Sequence, residues 1–209
     1  SLAIDGCRKS SLYFKDLNGL WKFAWTKDAP VSYTGFQKVC YDDRSWDVMP
    51  VPGLWELNGY GHPLYLNYGY AWFNQYRSAP PVVPLAENHT GYYRHTFSLP
   101  QAWDGRQVFI HFGSVTSNMS LWVNGLYAGY SEDSKLEAEF DITSFLRPGE
   151  NLIALKVNRW CDGTYLEDQD FWRLSGIGRE VFLYAREKTH IHDFTLLPVL
   201  DENYKNGTL

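Results

Sequence analysis

The sequence predicts an all-β, antiparallel β-sandwich, and three observations carry that expectation. Short apolar runs alternate with turn-forming clusters along the whole chain, the pattern of hairpin-linked strands rather than of alternating strands and helices. Within the runs apolar residues recur with period two, which gives one apolar face and one mixed face. The composition is globular: 209 residues, 44% hydrophobic and 21% charged. That suffices for one all-β domain with extensions.

Taken in order, Leu17 to Trp25 reads as the first strand. From Pro50 to Gly91 the chain is rich in Pro, Gly, Asn, Tyr and Trp and shows no period. Loops of that length in compact domains are usually functional or disordered. This one carries Trp55, Tyr60, Tyr65, Tyr68, Tyr70, Trp72 and Phe73, too many large rings for disorder. It is expected as an ordered excursion that lines a site or an interface; a plain covering loop is the competing reading.

Tyr92 to Leu99 is the next strand, with Tyr93, His95 and Phe97 alternating against Tyr92, Arg94 and Thr96. Val108, Ile110 and Phe112 alternate with Phe109 and His111 in another. Leu121 to Tyr127 predicts a hairpin, because Asn124-Gly125 tolerates the positive φ that a tight primed turn requires. Asp141 is placed to cap one helical turn through Leu146, and Arg147 to Asn151 turns the chain. Leu152 to Trp160 is a long strand with Ile153, Leu155 and Val157 on one face, and Val181 to Tyr184 a further one. At the end, Thr189 to Leu200 reads as a strand, Asp201 to Gly207 as a hairpin connection, and Thr208-Leu209 as the start of its partner. The expected organisation is one sandwich domain over 1–186, followed by a linker and the first strands of a second, truncated β-sandwich over 187–209.

The formal net charge is −5 and no basic cluster exists, so nucleic acid is not an expected partner. Apolar runs fall far short of the ~18 residues that span a membrane. The first ten residues lack the charged start and apolar core of a signal peptide, which leaves cytoplasm and periplasm both open. Cys7, Cys40 and Cys161 are widely spaced, match no zinc pattern and are expected as free thiols. Nine Trp and fifteen Tyr point to sugar stacking or a large interdomain surface, with an aromatic-rich core as the alternative.

The densest polar constellation is Asp162 to Arg173, where Glu167, Asp168 and Asp170 stand beside Trp172 and Arg173. Clustered carboxylates need a cation, a guanidinium or hydrogen-bond donors. The segment is therefore either a loop held by Arg173 or a ligand or cation site. Asp168 and Asp170 do not suit a retaining glycosidase pair, whose carboxyls face each other ~5–5.5 Å apart across the scissile bond. Residues two apart in extended chain lie roughly 6.5 Å apart at Cα on one side. Asn67, alone in the long excursion, is a turn residue or a ligand contact. Asn88, Asn118 and Asn206 begin glycosylation sequons; His190/His192 is the one histidine pair with metal-like spacing, and two apart on an expected strand it reads as a surface strand pair rather than a metal site. By itself the chain offers a binding site and no reaction machinery.

These motifs, in this order, resemble the N-terminal sugar-binding domain of the long bacterial β-galactosidases of glycoside hydrolase family 2. Leu17 to Phe23 resembles L-N-G-x-W-x-F, and Val51 to Tyr60 resembles V-P-S-N-W-x-x-x-G-Y. Pro63 to Asn67 resembles P-I-Y-T-N, and Val83 to Tyr93 resembles V-P-x-E-N-P-T-G-x-Y with one extra residue before the Glu. Phe140 to Asn151 resembles the family's F-D-(I/L)-(T/S) stretch ending in G-E-N, and Asp162 to Ile177 resembles D-G-S-Y-L-E-D-Q-D-M-W-R-x-S-G-I. The resemblance implies a galactose-binding-domain-like jelly roll with a long ordered loop, and an immunoglobulin-like character for 187–209.

It further implies that Asn67 reaches the galactose subsite and that Asp170 binds a galactose hydroxyl and a sodium ion. Asp168, Trp172 and Arg173 are implied as the supporting shell, with Asp168 and Arg173 holding Asp170. The whole enzyme would be a retaining β-galactosidase, a homo-oligomer that uses Na+ and Mg2+ and acts on terminal β-D-galactosyl residues. Its two glutamates and its magnesium ligands would come from a (β/α)8 barrel that this chain lacks and against which it would pack. The chain alone would hold no catalytic residue and no cofactor and would be inactive. Gly53-Leu54 in place of S-N, and Tyr68 to Trp72 in place of V-T-Y-P, depart from the pattern and bear on linkage preference. A stand-alone carbohydrate-binding module, or a relative with another glycoside specificity, are the alternatives.

Overall fold

A computed structural model describes residues 8–29, 33–67, 72, 79–167 and 169–209. Cys7, Tyr68, Tyr70, Phe73 and Asp168 lie outside the described residues. The period-two runs all become strands, and no α-helix occurs among the described residues. In chain order they are β1 (Phe14–Asp16), β2 (Gly19–Thr26), β3 (Asp47–Val51), β4 (Gly53–Leu54), β5 (Leu64–Leu66) and β6 (Thr90–Ser98). Next come β7 (Gln107–Phe112), β8 (Val115–Thr116), β9 (Asn118–Val123), β10 (Leu126–Ser131), β11 (Ala138–Asp141) and β12 (Glu150–Asn158). Last are β13 (Phe171–Arg173), β14 (Gly176–Ile177), β15 (Val181–Arg186), β16 (Val199–Leu200) and β17 (Gly207–Thr208).

Two antiparallel sheets form the expected jelly-roll sandwich. One has the order β10-β9-β12-β6-β2-β3 and the other β1-β15-β7-β11. Alternation decides what lies between them. Trp21, Phe23, Tyr93, Leu121, Ile153, Leu155 and Val157 point inward from the larger sheet, and Val108, Ile110, Phe112, Val181 and Leu183 from the smaller. β7 shows the half-buried pattern in full, each second residue being buried. β6 departs from it because its outer face is also covered: Tyr92 packs with Phe36, Trp46 and Ala154 in a second cluster. Arg94 is buried on that face, where its Nε meets Asp43 at 2.6 Å and its Nη1 donates to the carbonyls of Phe36 and Lys38.

The Asn124-Gly125 hairpin forms as expected, with φ of 52° and 87° at the two positions, joining β9 to β10. Asp141 accepts the Thr143 amide and hydroxyl at the start of a 3-10 turn over Thr143–Phe145.

Three expectations need correction. The strand expected over Thr189 to Leu200 is limited to Val199–Leu200, paired with β17. A strand persists where a neighbour satisfies its backbone groups, and among the described residues no strand pairs with 189–198. The strand expected to reach Trp160 ends at Asn158. Finally, the Pro50–Gly91 excursion is not without regular structure. It contains β4, a 3-10 turn over Trp55–Asn58, and β5. These strands escape a period search because two or three residues cannot display one. Trp72, Trp160 and Tyr165 form a third buried cluster that fastens the excursion to the sandwich.

Candidate functional site

The residues singled out in the excursion and in the Asp162–Arg173 segment come together, although they are far apart in sequence. β5 and β13 form a separate two-stranded antiparallel ribbon, pairing Leu66 with Phe171, Tyr65 with Trp172, and Leu64 with Arg173. Asn67 follows and Asp170 precedes the last pair, Leu66 with Phe171, so both stand at the same end of the ribbon. Both residues are exposed. Two polar side chains thus flank the end of the ribbon at one exposed rim.

Tyr65 completes that rim. Its hydroxyl donates to Oδ1 of Asp170, and its ring meets Trp172 edge-on with centroids 5.4 Å apart. The bond to the Asp170 carboxylate holds the Tyr65 hydroxyl above the ordinary phenol range. Sequence reading counted Tyr65 among the loop aromatics and gave it no site role. Its signal was the cross-strand partnership with Trp172, which only pairing reveals. Trp172 and Phe171 are both about half exposed, at 49% and 51%; Trp172 lies with Tyr65 on the face of the ribbon that carries the carboxylate, and Phe171, its neighbour in β13, packs under the Lys135 ammonium instead.

The three clustered acids do different work. Glu167 turns away from the rim, and its carboxylate accepts the amide (2.9 Å) and hydroxyl (2.5 Å) of Ser134. It ties the segment to the loop after β10. Asp168, expected in the supporting shell, lies outside the described residues. Arg173 donates from Nη1 to the carbonyl of Glu167 and from Nη2 to the carbonyl of Gln169 at 3.1 Å. Its guanidinium thus holds the carbonyls of Glu167 and Gln169, the latter the residue just before Asp170.

Behind the ribbon lie two cavities. One of about 260 Å³ is bordered by Ser134, Lys135, Phe171, Trp172 and Arg173. The other, about 490 Å³, is bordered by Trp25, His62, Leu64, Trp72 and His89. Arg159 and Trp160 form the wall between them. Asn67 and Asp170 belong to neither lining; they stand on the open rim. An open rim holds a ligand poorly, since ligand sites normally enclose most of the ligand surface.

The charged groups under the ribbon are buried. Glu56 is fully buried and Arg159 nearly so, with Arg159 Nε 3.9 Å from Glu56 Oε1. Burial lowers Arg159 from its ordinary range, and the Glu56 charge opposes that shift. His89 lies 3.1 Å from Arg159 Nη1. Burial, reinforced by the Arg159 charge, lowers its pKa to about 4, so it is neutral at pH 7.

As a cation ligand Asp170 offers one carboxylate, with one oxygen engaged by Tyr65. Hard cations gather several oxygens, so Asp170 fits as a single ligand and not as a cage. A different trio, Glu132, Cys161 and Asp162, has potential ligand atoms within 4.8 Å of one another. There Glu132 already accepts the Tyr130 hydroxyl and the Gly163 amide, and burial pushes the Cys161 thiol up, away from the thiolate a metal needs. Cys40 and Cys161 are free thiols, as expected. The sequon residues Asn88 and Asn118 are buried. Asn88 bonds the backbone of Trp160, and Asn118 accepts the Asn158 amide and donates to the Tyr130 hydroxyl.

Comparison with known proteins fits this geometry. The family described as "Glycosyl hydrolases family 2, sugar binding domain" matches residues 14–187. The β-galactosidase of Priestia megaterium is 44% identical over 207 residues, 99% of this chain and 20% of that protein. The β-galactosidase of Vibrio vulnificus strain YJ016 is 47% identical over 197 residues, 93% of this chain and 18% of that one. The chain thus spans about a fifth of the length of these relatives. Among solved structures, a β-glucuronidase from glycoside hydrolase family 2 superposes with a TM-score of 0.62 at 27% identity, over 84% of this chain and 18% of that one. A β-glucuronidase of an uncultured Clostridium species gives a TM-score of 0.64 at 23% identity, over 92% and 32% of the two chains; that likeness shows the fold.

Proposed function

The chain belongs to the sugar-binding domain family of glycosyl hydrolases family 2, and on that premise we propose that it completes the galactose subsite of a retaining β-galactosidase. Asn67 and Asp170 contact the sugar, and the two glutamates that do the chemistry lie in a barrel elsewhere in the polypeptide. The observation that supports this most is the β5–β13 ribbon, which brings Asn67 and Asp170, distant in sequence, to the same exposed end. A rim with no walls of its own is what one half of a shared pocket looks like.

The chemistry comes from the side chains. The Asp170 carboxylate accepts a hydrogen bond from a sugar hydroxyl, a charge-assisted contact stronger than a neutral one. Asn67 supplies both a donor and an acceptor, so it reads a hydroxyl in either orientation. Tyr65 orients the carboxylate, and the half-exposed Trp172 offers its ring face to the apolar side of the sugar. A carboxylate at this rim also discriminates: a glucuronide brings its own negative charge against Asp170, and a galactoside brings a neutral hydroxyl. This supports galactosides over the glucuronides named for the structural neighbours. Sodium, held partly by Asp170 and partly by the barrel, would supply a fixed positive charge for a sugar oxygen.

In the full-length enzyme, Asp170→Ala is expected to lower kcat/KM for galactosides by about 10- to 100-fold, the worth of a hydrogen bond to a charged group. Unchanged kinetics would sink the proposal. The isolated chain is expected to hydrolyse no galactoside and to bind galactose too weakly to titrate. Millimolar or tighter binding would instead favour a stand-alone carbohydrate-binding module.

A further inference from the structure

We propose that Arg159 and Glu56 form a buried strut that fixes the base of the β5–β13 ribbon and so positions Asn67 and Asp170. The proposal rests on the sugar-contact reading of those two residues. The ribbon is a sheet of its own, hydrogen-bonded to neither main sheet, and two-stranded ribbons are only marginally stable alone. Its tip carries Asn67 and Asp170. At its base lie His62, two residues before β5, and Ser175, two residues after β13.

Each base residue is gripped by one member of the pair. Arg159 donates from Nη2 to the His62 carbonyl at 2.9 Å. The Ser175 amide donates to Glu56 Oε2 at 2.8 Å. The other ends of the two side chains face each other, Nε to Oε1, at 3.9 Å. That is an ion pair without a hydrogen bond, and both atoms are buried with no hydrogen-bond partner among the described residues. The grips are rooted in different parts of the sandwich. Arg159 follows the central strand β12 and its amide bonds the His89 carbonyl at 2.8 Å. Glu56 sits in the 3-10 turn whose Trp55 amide bonds the Ser175 carbonyl at 2.8 Å.

A buried ion pair is poor evidence of stabilisation, since well-packed apolar residues often serve as well or better. What apolar residues cannot do is hold a carbonyl and an amide at set places. Four residues separate each base residue from its tip residue, a lever of about 16 Å in extended chain. A tilt of about 3.5° at the base therefore moves the tip by about 1 Å, and misplacement on that scale can cost about 100-fold in rate.

The test uses the full-length polypeptide with Arg159→Met, Glu56→Gln and the double variant, each alone and combined with Asp170→Ala. Alone, Arg159→Met is expected to lower kcat/KM for galactosides by about 10- to 100-fold, as losses behind a contact residue do. With Asp170 already removed, the same change should cost less than about 2-fold, because the strut acts through that residue. Amide exchange should quicken in 64–66 and 171–173 and stay slow in β6 and β12. Equal losses with and without Asp170, or full activity in a folded Arg159→Met protein, overturn the proposal. The double variant leaves no unpaired buried ion and serves if a single variant fails to fold. If Asp170→Ala itself changes nothing, the sugar-contact reading has failed. The strut is then judged by exchange alone: quickening confined to the ribbon supports it, and a uniform or absent change overturns it.

Discussion

Asp170 and Glu167 show how little a residue's type says about its task. Both are carboxylates in one short motif, yet Glu167 spends both oxygens on Ser134 while Asp170 stays on the rim with Tyr65. The difference is direction, set by a 3-10 turn over Asp162–Tyr165 and by strand β13. His89 gives a measurable consequence at this scale. Its pKa falls from 6.5 to about 4 in the folded chain, so between those values the unfolded state binds a proton that the folded state does not. Stability must then fall as pH drops from about 6.5 to about 4 and level off below. The loss should be roughly 1–3 kcal/mol at one full charge. Urea midpoints measured across that range should flatten in His89→Gln; an identical slope would mean that His89 is not the group responsible.

At the scale of elements, Asn124 and Asn151 join two turns that are separate in the sequence pattern. Asn151 is fully buried. Its Oδ1 accepts from Asn124 Nδ2 (2.7 Å) and from the Arg147 amide (2.9 Å), and its Nδ2 donates to the carbonyls of Arg147 (3.0 Å) and Gly149 (3.1 Å). Asn124 in turn accepts the Leu152 amide at 2.9 Å. The β9–β10 hairpin is thereby locked to the turn before β12. Asn151→Ala leaves several buried groups without partners, at about 1–3 kcal/mol for a group so stranded. A total of about 2–4 kcal/mol should lower Tm by roughly 5–15 °C, read by calorimetry. A shift under ~2 °C would mean that water replaces the amide. Gly91 shows the tightness of the same sheet, since a Cβ there would stand 2.4 Å from the Trp55 ring.

For the whole molecule, the sandwich and the C-terminal segment after residue 187 differ in how they bury apolar surface. Ile191, Phe194, Leu196, Leu197, Val199 and Leu200 are each more than half exposed, and the family match ends at residue 187. An apolar run of that kind marks an interaction surface or an aggregation liability. Were 187–209 the start of a second β-sandwich, further strands of that domain would cover this surface. Expressed alone, residues 1–209 are expected to self-associate at concentrations where residues 1–187 remain monomeric. Light scattering separates the two. Equal behaviour would place the exposed surface elsewhere, with the aromatic rim beside Asp170 as the next candidate.

The sequence alone determined the fold class, most strand positions, the Asn124-Gly125 hairpin and the family, because these depend on local period, turn chemistry and motifs that neighbouring residues carry together. It also marked Asn67 and Asp170, through motif resemblance rather than through physics. Only the tertiary structure decided that these two stand at one end of the same ribbon, that Tyr65 bonds Asp170, and that Arg159 and Glu56 meet at its base. Each of those facts depends on pairing between segments distant in the chain, and a register between distant segments is fixed by packing of the whole sandwich rather than by any local pattern.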